Sequence, residues 1–119
     1  MKRIAIIGKQ QPLYIRERMK AMMDEAGLPT DILYMPTRNT ADWKEELLPY
    51  AAVISAGEAF PAETFAALPN LELVSRFGVG TNEIDKAFAA EQGVAVCNAA
   101  GSFSACVAEC AISLILNLL

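Results

Sequence analysis

Val74-Ser75-Arg76-Phe77-Gly78-Val79-Gly80-Thr81-Asn82-Glu83-Ile84-Asp85 carries the residue types with the most chemical potential in this chain. An apolar run leads into one arginine and two glycines a residue apart. Glycines at the carboxyl end of a strand let backbone approach a ligand, a helix start beyond them offers unpaired amides, and Arg76 adds a fixed positive charge. The chemistry expected of such a loop is capture of an anion, a carboxylate first of all. Asn82 is the expected N-cap of the following helix, with Asp85 three residues on. A plain tight turn with a surface arginine is the competing reading of the same residues.

Other reactive groups are scarce. The chain has no histidine, so the usual general base with a near-neutral pKa is lacking. Gly78-Val79-Gly80-Thr81-Asn82-Glu83 lacks the third small residue of a dinucleotide fingerprint and is rejected as one. Cys97 lies in an apolar run, and Cys106 and Cys110 sit four apart on one expected helix face. Two thiols without histidine do not complete a tetrahedral metal site, so burial as small hydrophobes is expected of the cysteines. Their odd number also argues against a disulfide framework. No catalytic residue and no metal ligand is assigned.

The elements that must position the loop alternate along the chain. Strands are expected over residues 3–8, 31–35, 51–56, 71–76 and 94–97, each short and nearly continuously apolar. Helices are expected between them: one opened by Pro12, with Ile15, Met19, Met22, Met23 and Ala26 as its apolar face and Gly27 at its end; short ones over 42–48 and 61–67; and one over 83–92 closed by Gly93. This order predicts an α/β fold with a doubly wound five-stranded parallel sheet in flavodoxin-like order. Ligands on such sheets bind outside the carboxyl ends of the strands. That edge collects Gly8-Lys9-Gln10, Ser55-Ala56-Gly57-Glu58, residues 76–81 and residues 98–101.

Residues 102–119 predict a long apolar C-terminal helix in which Glu109, Ser113 and Asn117 are the clear polar punctuation. A helix apolar nearly all round is buried on more than one side. One sheet face accounts for one side only, so the helix is expected to enter a second domain. Chain length and composition, 119 residues with 54% apolar, 20% charged and a net charge of −4, suit one globular domain. No basic cluster supplies a stripe for nucleic acid, and no apolar run reaches the length of a membrane span. The run after Met1-Lys2-Arg3 reads as a strand, so a cytoplasmic location is expected.

Leu68-Pro69-Asn70-Leu71, the 74–85 segment, Gln92-Gly93-Val94-Ala95-Val96-Cys97-Asn98 and Val107-Ala108-Glu109 resemble the N-terminal substrate domain of the D-isomer-specific 2-hydroxyacid dehydrogenases. The likeness is specific from Leu68 onward and general in layout before it. It implies a flavodoxin-like substrate domain over residues 1–101, with residues 102–119 starting the interdomain helix toward a Rossmann NAD-binding domain. It further implies that the loop from Arg76 through Gly78, Val79 and Gly80 holds the substrate carboxylate through backbone amides, with Gly57 bordering the substrate. Val79, Asn98, Ser104 and Val107 are implied to face the cofactor, NAD or NADP. In the family the general base and the dinucleotide turn come from the second domain. The fragment alone is therefore expected to be inactive, to bind no cofactor tightly, and to pair with a second copy through its last helix.

Three departures qualify the resemblance. The loop after the third strand carries Gly57-Glu58 where some members have an arginine, which disfavours a phosphorylated acid. Residues 98–101 read Asn98-Ala99-Ala100-Gly101 without the usual proline, and Cys110 stands where a histidine commonly follows the glutamate. A stand-alone flavodoxin-like binding or regulatory module is the alternative. A phosphoacceptor receiver would want acidic residues at Gly8-Lys9-Gln10 and Ser55-Ala56-Gly57, and a flavin module a Ser/Thr-rich loop at Gln10-Gln11-Pro12.

Overall fold

The computed structural model describes residues 2–8 and 12–119. Strands β1 (Arg3–Ile6), β2 (Thr30–Ile32), β3 (Tyr50–Ser55), β4 (Leu73–Arg76) and β5 (Ala95–Cys97) alternate with helices. These are α1 (Leu13–Glu25), α2 (Lys44–Leu47, entered through a 3-10 turn, Thr40–Trp43), α3 (Ala62–Ala67), α4 (Lys86–Glu91) and α5 (Ser104–Leu118). The five strands form one parallel sheet in the order β2-β1-β3-β4-β5, the flavodoxin arrangement. Lys9 and Gln10, placed by the sequence on the ligand edge, lie outside the described residues.

The apolar runs become strands because their register stacks like with like. Ala5 pairs with Val53, Val53 with Val74, and Val74 with Val96, and the first three are fully buried. On that face Trp43, Leu47, Phe60, Phe65, Leu68, Leu71, Ile84 and Ala89 close one hydrophobic core. Ile6, one residue out of phase, is buried but outside this cluster, and α1 packs against β2. Of the apolar face expected for α1, Ile15, Met19 and Met23 are half-buried while Met22 and Ala26 are exposed. The one buried residue of α1 is Arg16, whose guanidinium lies 4.9 Å from the ring centre of the exposed Tyr34, where the ring face attracts the cation.

Four expectations change. The helix after the glycine loop starts at Lys86 and is capped by Asp85, not Asn82: the Asp85 carboxylate accepts from Phe88 N at 3.0 Å. Asn82 is excluded because Phe60 and Ile84 form a parallel bridge, with Phe60 N donating to Glu83 O and Asp85 N to Phe60 O at 2.9 Å each. That bridge holds the chain extended until it has passed the core edge. Every strand but β3 is also shorter than its apolar run: β2 stops at Ile32, opposite the last residue of β1. A strand persists only while it has a partner.

The helix expected over 102–119 spans 15 residues, and none of them is buried. Residues 101–119 are all exposed, and the Cα radius of gyration, 16.2 Å, exceeds the roughly 13–14 Å of a compact chain this long. The helix leaves the sheet after Gly101, whose φ of +79° turns the backbone outward, so its apolar side chains meet no core. Cys106 and Cys110 ride on it, Cys97 sits on edge strand β5, and all three are exposed free thiols, not core residues. No helix among the described residues is long and apolar enough to cross a membrane.

Candidate functional site

The carboxyl ends of β3 and β4 build one wall each of a cleft. Ser55 and Arg76, the last residues of the two strands, are register partners, and Phe77 N donates to Ser55 O at 2.6 Å. Both strands therefore release their loops at one level. Beyond β4, Gly78 adopts φ +144°, a conformation that glycine reaches and side-chain-bearing residues resist. The carbonyl of Gly78 accepts from Ala99 N and that of Val79 from Asn98 Nδ2, both at 2.8 Å. With its carbonyls engaged on the β5 side, the loop keeps three amides, those of Gly78, Val79 and Gly80, that donate to no acceptor among the described residues.

Arg76 is not the surface arginine of the tight-turn reading. It is 3% exposed, and its Nη2 donates to Glu58 O at 2.8 Å. Its Nε and Nη1 are buried and find no hydrogen-bond partner among the described residues, which is rare for a charged group and marks donors available to something else. Burial pulls its pKa below the usual arginine value, while the charges of Glu58 and Glu83 oppose that shift. The guanidinium stays protonated at neutral pH, since arginine is not deprotonated in proteins.

The third wall comes from the segment after β2. Asn39 bridges Ala59, Ala59 N donates to Arg38 O at 2.7 Å, and Thr40 N donates to Ala59 O at 3.1 Å. This pinning brings the Arg38 guanidinium over the β3 loop, where Nη2 donates to Gly57 O at 3.2 Å. The resulting cleft, about 340 Å³, is bordered by Arg38, Gly57, Arg76, Gly78, Val79 and Gly80, with Glu83 on its rim. All five residues expected to hold substrate (Gly57, Arg76, Gly78, Val79 and Gly80) thus lie around one space.

A second, more open hollow of about 530 Å³ lies between the loop and α5, lined by Val79, Phe103, Ser104, Val107 and Ala111 among others. Three of the residues expected to face a cofactor, Val79, Ser104 and Val107, meet there. Asn98 lines neither space and instead ties its side chain to the Val79 carbonyl. Val79 alone among these borders both spaces. Two cleft features were not legible as such. Arg38 arrives only through the Asn39–Ala59 bridge, for which the sequence carries no local signal. From the sequence Glu58 is only a negative charge that disfavours a phosphorylated acid; the structure adds that its carboxylate turns onto the amides of Ala56 and Gly57 at 3.0 and 3.1 Å. A carboxylate next to a glycine just past a strand end was the available hint.

Comparison with known proteins identifies the family and the fold. Over 58% of the chain, 69 residues are 42% identical to a glyoxylate/hydroxypyruvate reductase A of Arabidopsis thaliana, of which they cover 22%. The fold matches a phosphoglycerate oxidoreductase from Vibrio cholerae at 29% identity and a TM-score of 0.72, over 98% of this chain and 36% of that one. It also matches an NADPH-dependent glyoxylate/hydroxypyruvate reductase from Sinorhizobium meliloti, solved with NADP and malonate, at 25% identity and a TM-score of 0.74, over 100% of this chain and 35% of that one. The chain thus spans little more than a third of these structures and less of the plant reductase. The family model for the D-isomer specific 2-hydroxyacid dehydrogenase catalytic domain matches residues 10–113, and the chain belongs to that family.

Proposed function

We propose that this chain is the substrate-holding part of a nicotinamide-dependent oxidoreductase acting on the CH–OH group of a D-2-hydroxy acid, or on the corresponding 2-oxo acid in reverse. One observation carries the reading: three consecutive loop amides that meet no acceptor among the described residues sit beside a buried arginine with two guanidinium nitrogens unpaired among them. A carboxylate satisfies donors of both kinds, and charge-assisted hydrogen bonds are the strong ones. In this reading the amides of Gly78, Val79 and Gly80 orient the acid, Arg76 supplies the charge beneath it, and Gly57 leaves room on the opposite wall. Asn98 positions Val79 by holding its carbonyl.

The nicotinamide, as NAD or NADP, would supply hydride acceptance or donation when bound. Val79, Ser104 and Val107 would form its near wall, and an apolar hollow with few polar atoms suits one face of such a ring. The dinucleotide site and the general base are assigned to a Rossmann domain that packs against α5. In the absence of that domain, two copies of the chain are assigned to pair through α5. The purified chain alone is then expected to show no nicotinamide-dependent turnover of any 2-hydroxy acid and no micromolar NAD binding by titration calorimetry. Either signal would require a base or a cofactor site within these 119 residues.

Substitution at Gly80 separates ligand capture from a mere turn. A Cβ built there meets no atom of the described residues within 4 Å, whereas at Gly78 the positive φ strains any side chain. In the complete enzyme Gly80→Val is expected to raise KM about tenfold or more, the loss of roughly 1.4 kcal/mol of binding, with little change in melting temperature. Gly78→Ala is expected to cost roughly 1–3 kcal/mol of stability as well. Parallel loss of stability and affinity in Gly80→Val would favour the tight-turn reading.

A further inference from the structure

Glu58 belongs to neither the glycine loop nor the set of residues expected to bind an anion, yet it is joined to two walls of the cleft. Its Oε2 accepts from Ala56 N at 3.0 Å and Gly57 N at 3.1 Å, and both residues border the cleft. Its carbonyl accepts from Arg76 Nη2 at 2.8 Å, and the residue is 3% exposed. A carboxylate so far from water persists in charged form only with amide donors and a counter-charge, and Glu58 has both. It is also the first of the charges that oppose the lowering of the Arg76 pKa.

Four charges therefore govern the cleft: Arg38 and Arg76 are positive, Glu58 and Glu83 negative. With Glu58 ionised they cancel. The β3-loop amides that an anionic group would otherwise seek are already bonded to Glu58, so the unspent donors are those of the glycine loop and Arg76. One carboxylate uses these. A second on the same small acid would meet the field of Glu58 and Glu83 with the amides of Ala56 and Gly57 already taken, and like charges so placed discriminate strongly.

We propose that Glu58 is a specificity-determining residue, a built-in anion that offsets one of the cleft's two arginines and occupies the β3-loop amides, so that the cleft takes acids with one anionic group in preference to acids with two. This rests on the acid-holding reading above. The test uses glycolate and tartronate, 2-hydroxy acids that differ by one carboxylate, titrated into the isotope-labelled chain at neutral pH and fixed ionic strength while the amide signals of Gly57, Gly78 and Gly80 are followed. The unmodified chain is expected to bind glycolate about tenfold more tightly than tartronate. Glu58→Gln, which keeps an oxygen for the two amides and removes the charge, is expected to shift that ratio about tenfold toward tartronate. Should that variant unfold, Arg38→Gln, which leaves Glu58 and Arg76 in place, is expected to shift the ratio about threefold the other way. An unchanged ratio in the folded variant overturns the role of Glu58 while the acid site stands. Signals that move with neither acid in the unmodified chain overturn the acid site, and this proposal with it.

Discussion

Arg76→Ala is expected to remove roughly 1.5–3 kcal/mol from the unfolding free energy of the chain, the scale of losing a buried hydrogen bond made by a charged group. An exposed arginine would cost no more than about 1 kcal/mol. The difference follows from what the guanidinium leaves behind: a Glu58 carboxylate 3% exposed without its neighbouring cation, and a Glu58 carbonyl that loses its 2.8 Å donor. Urea unfolding reads the effect as a lower midpoint at unchanged slope. The double variant Arg76→Ala with Glu58→Gln is expected to be less damaged than the sum of the two single changes, because the second substitution removes the charge that the first one strands. Additive losses, or an Arg76→Ala cost below about 1 kcal/mol, would mean that water replaces the guanidinium and that Arg76 is in effect a surface group.

Burial of this kind explains which parts of the site could be read from the sequence. The glycine loop was legible because residue types alone decide it: an apolar strand must end, and Gly78 is the residue that takes φ +144°. The order of strands followed from five short apolar runs separated by helices. What decides the environment of Arg76 lies 18 residues earlier in the chain, at Glu58, and no local pattern couples the two positions. Arg38 likewise reaches the cleft only because Asn39 bridges Ala59. Asn82 and Asp85 are both good N-caps; the Phe60–Ile84 bridge chooses between them, and it is a tertiary contact. The cysteines were misread because apolar neighbours do not guarantee burial: Cys106 and Cys110 ride on α5, whose apolar side was expected to meet a partner outside the chain, and all three thiols are exposed.

For that reason the chain by itself is expected to self-associate through α5, and the polar double substitution Leu114→Lys with Leu118→Lys to weaken the association by two to three orders of magnitude, or roughly 3–4 kcal/mol. Val107, Ala111, Leu114 and Leu118 form one stripe of α5, and Ala108, Ile112, Ile115 and Leu119 follow one position on. At about 100° per residue these stripes merge into an apolar arc of roughly 160°, with Glu109, Ser113 and Asn117 opposite. Leu114 is 61% and Leu118 88% exposed, so nearly all of their burial is still to be gained. Burying a leucine is worth roughly 1.5–3 kcal/mol, and a two-fold pair counts each position twice, less the cost of immobilising two chains. Light scattering after size exclusion measures the outcome at several concentrations. A stable monomer of the unmodified chain would place the helix elsewhere: back on the half-exposed side of the sheet, where Ala52, Ile54, Leu73 and Ser75 are only partly covered and could accept one apolar helix face.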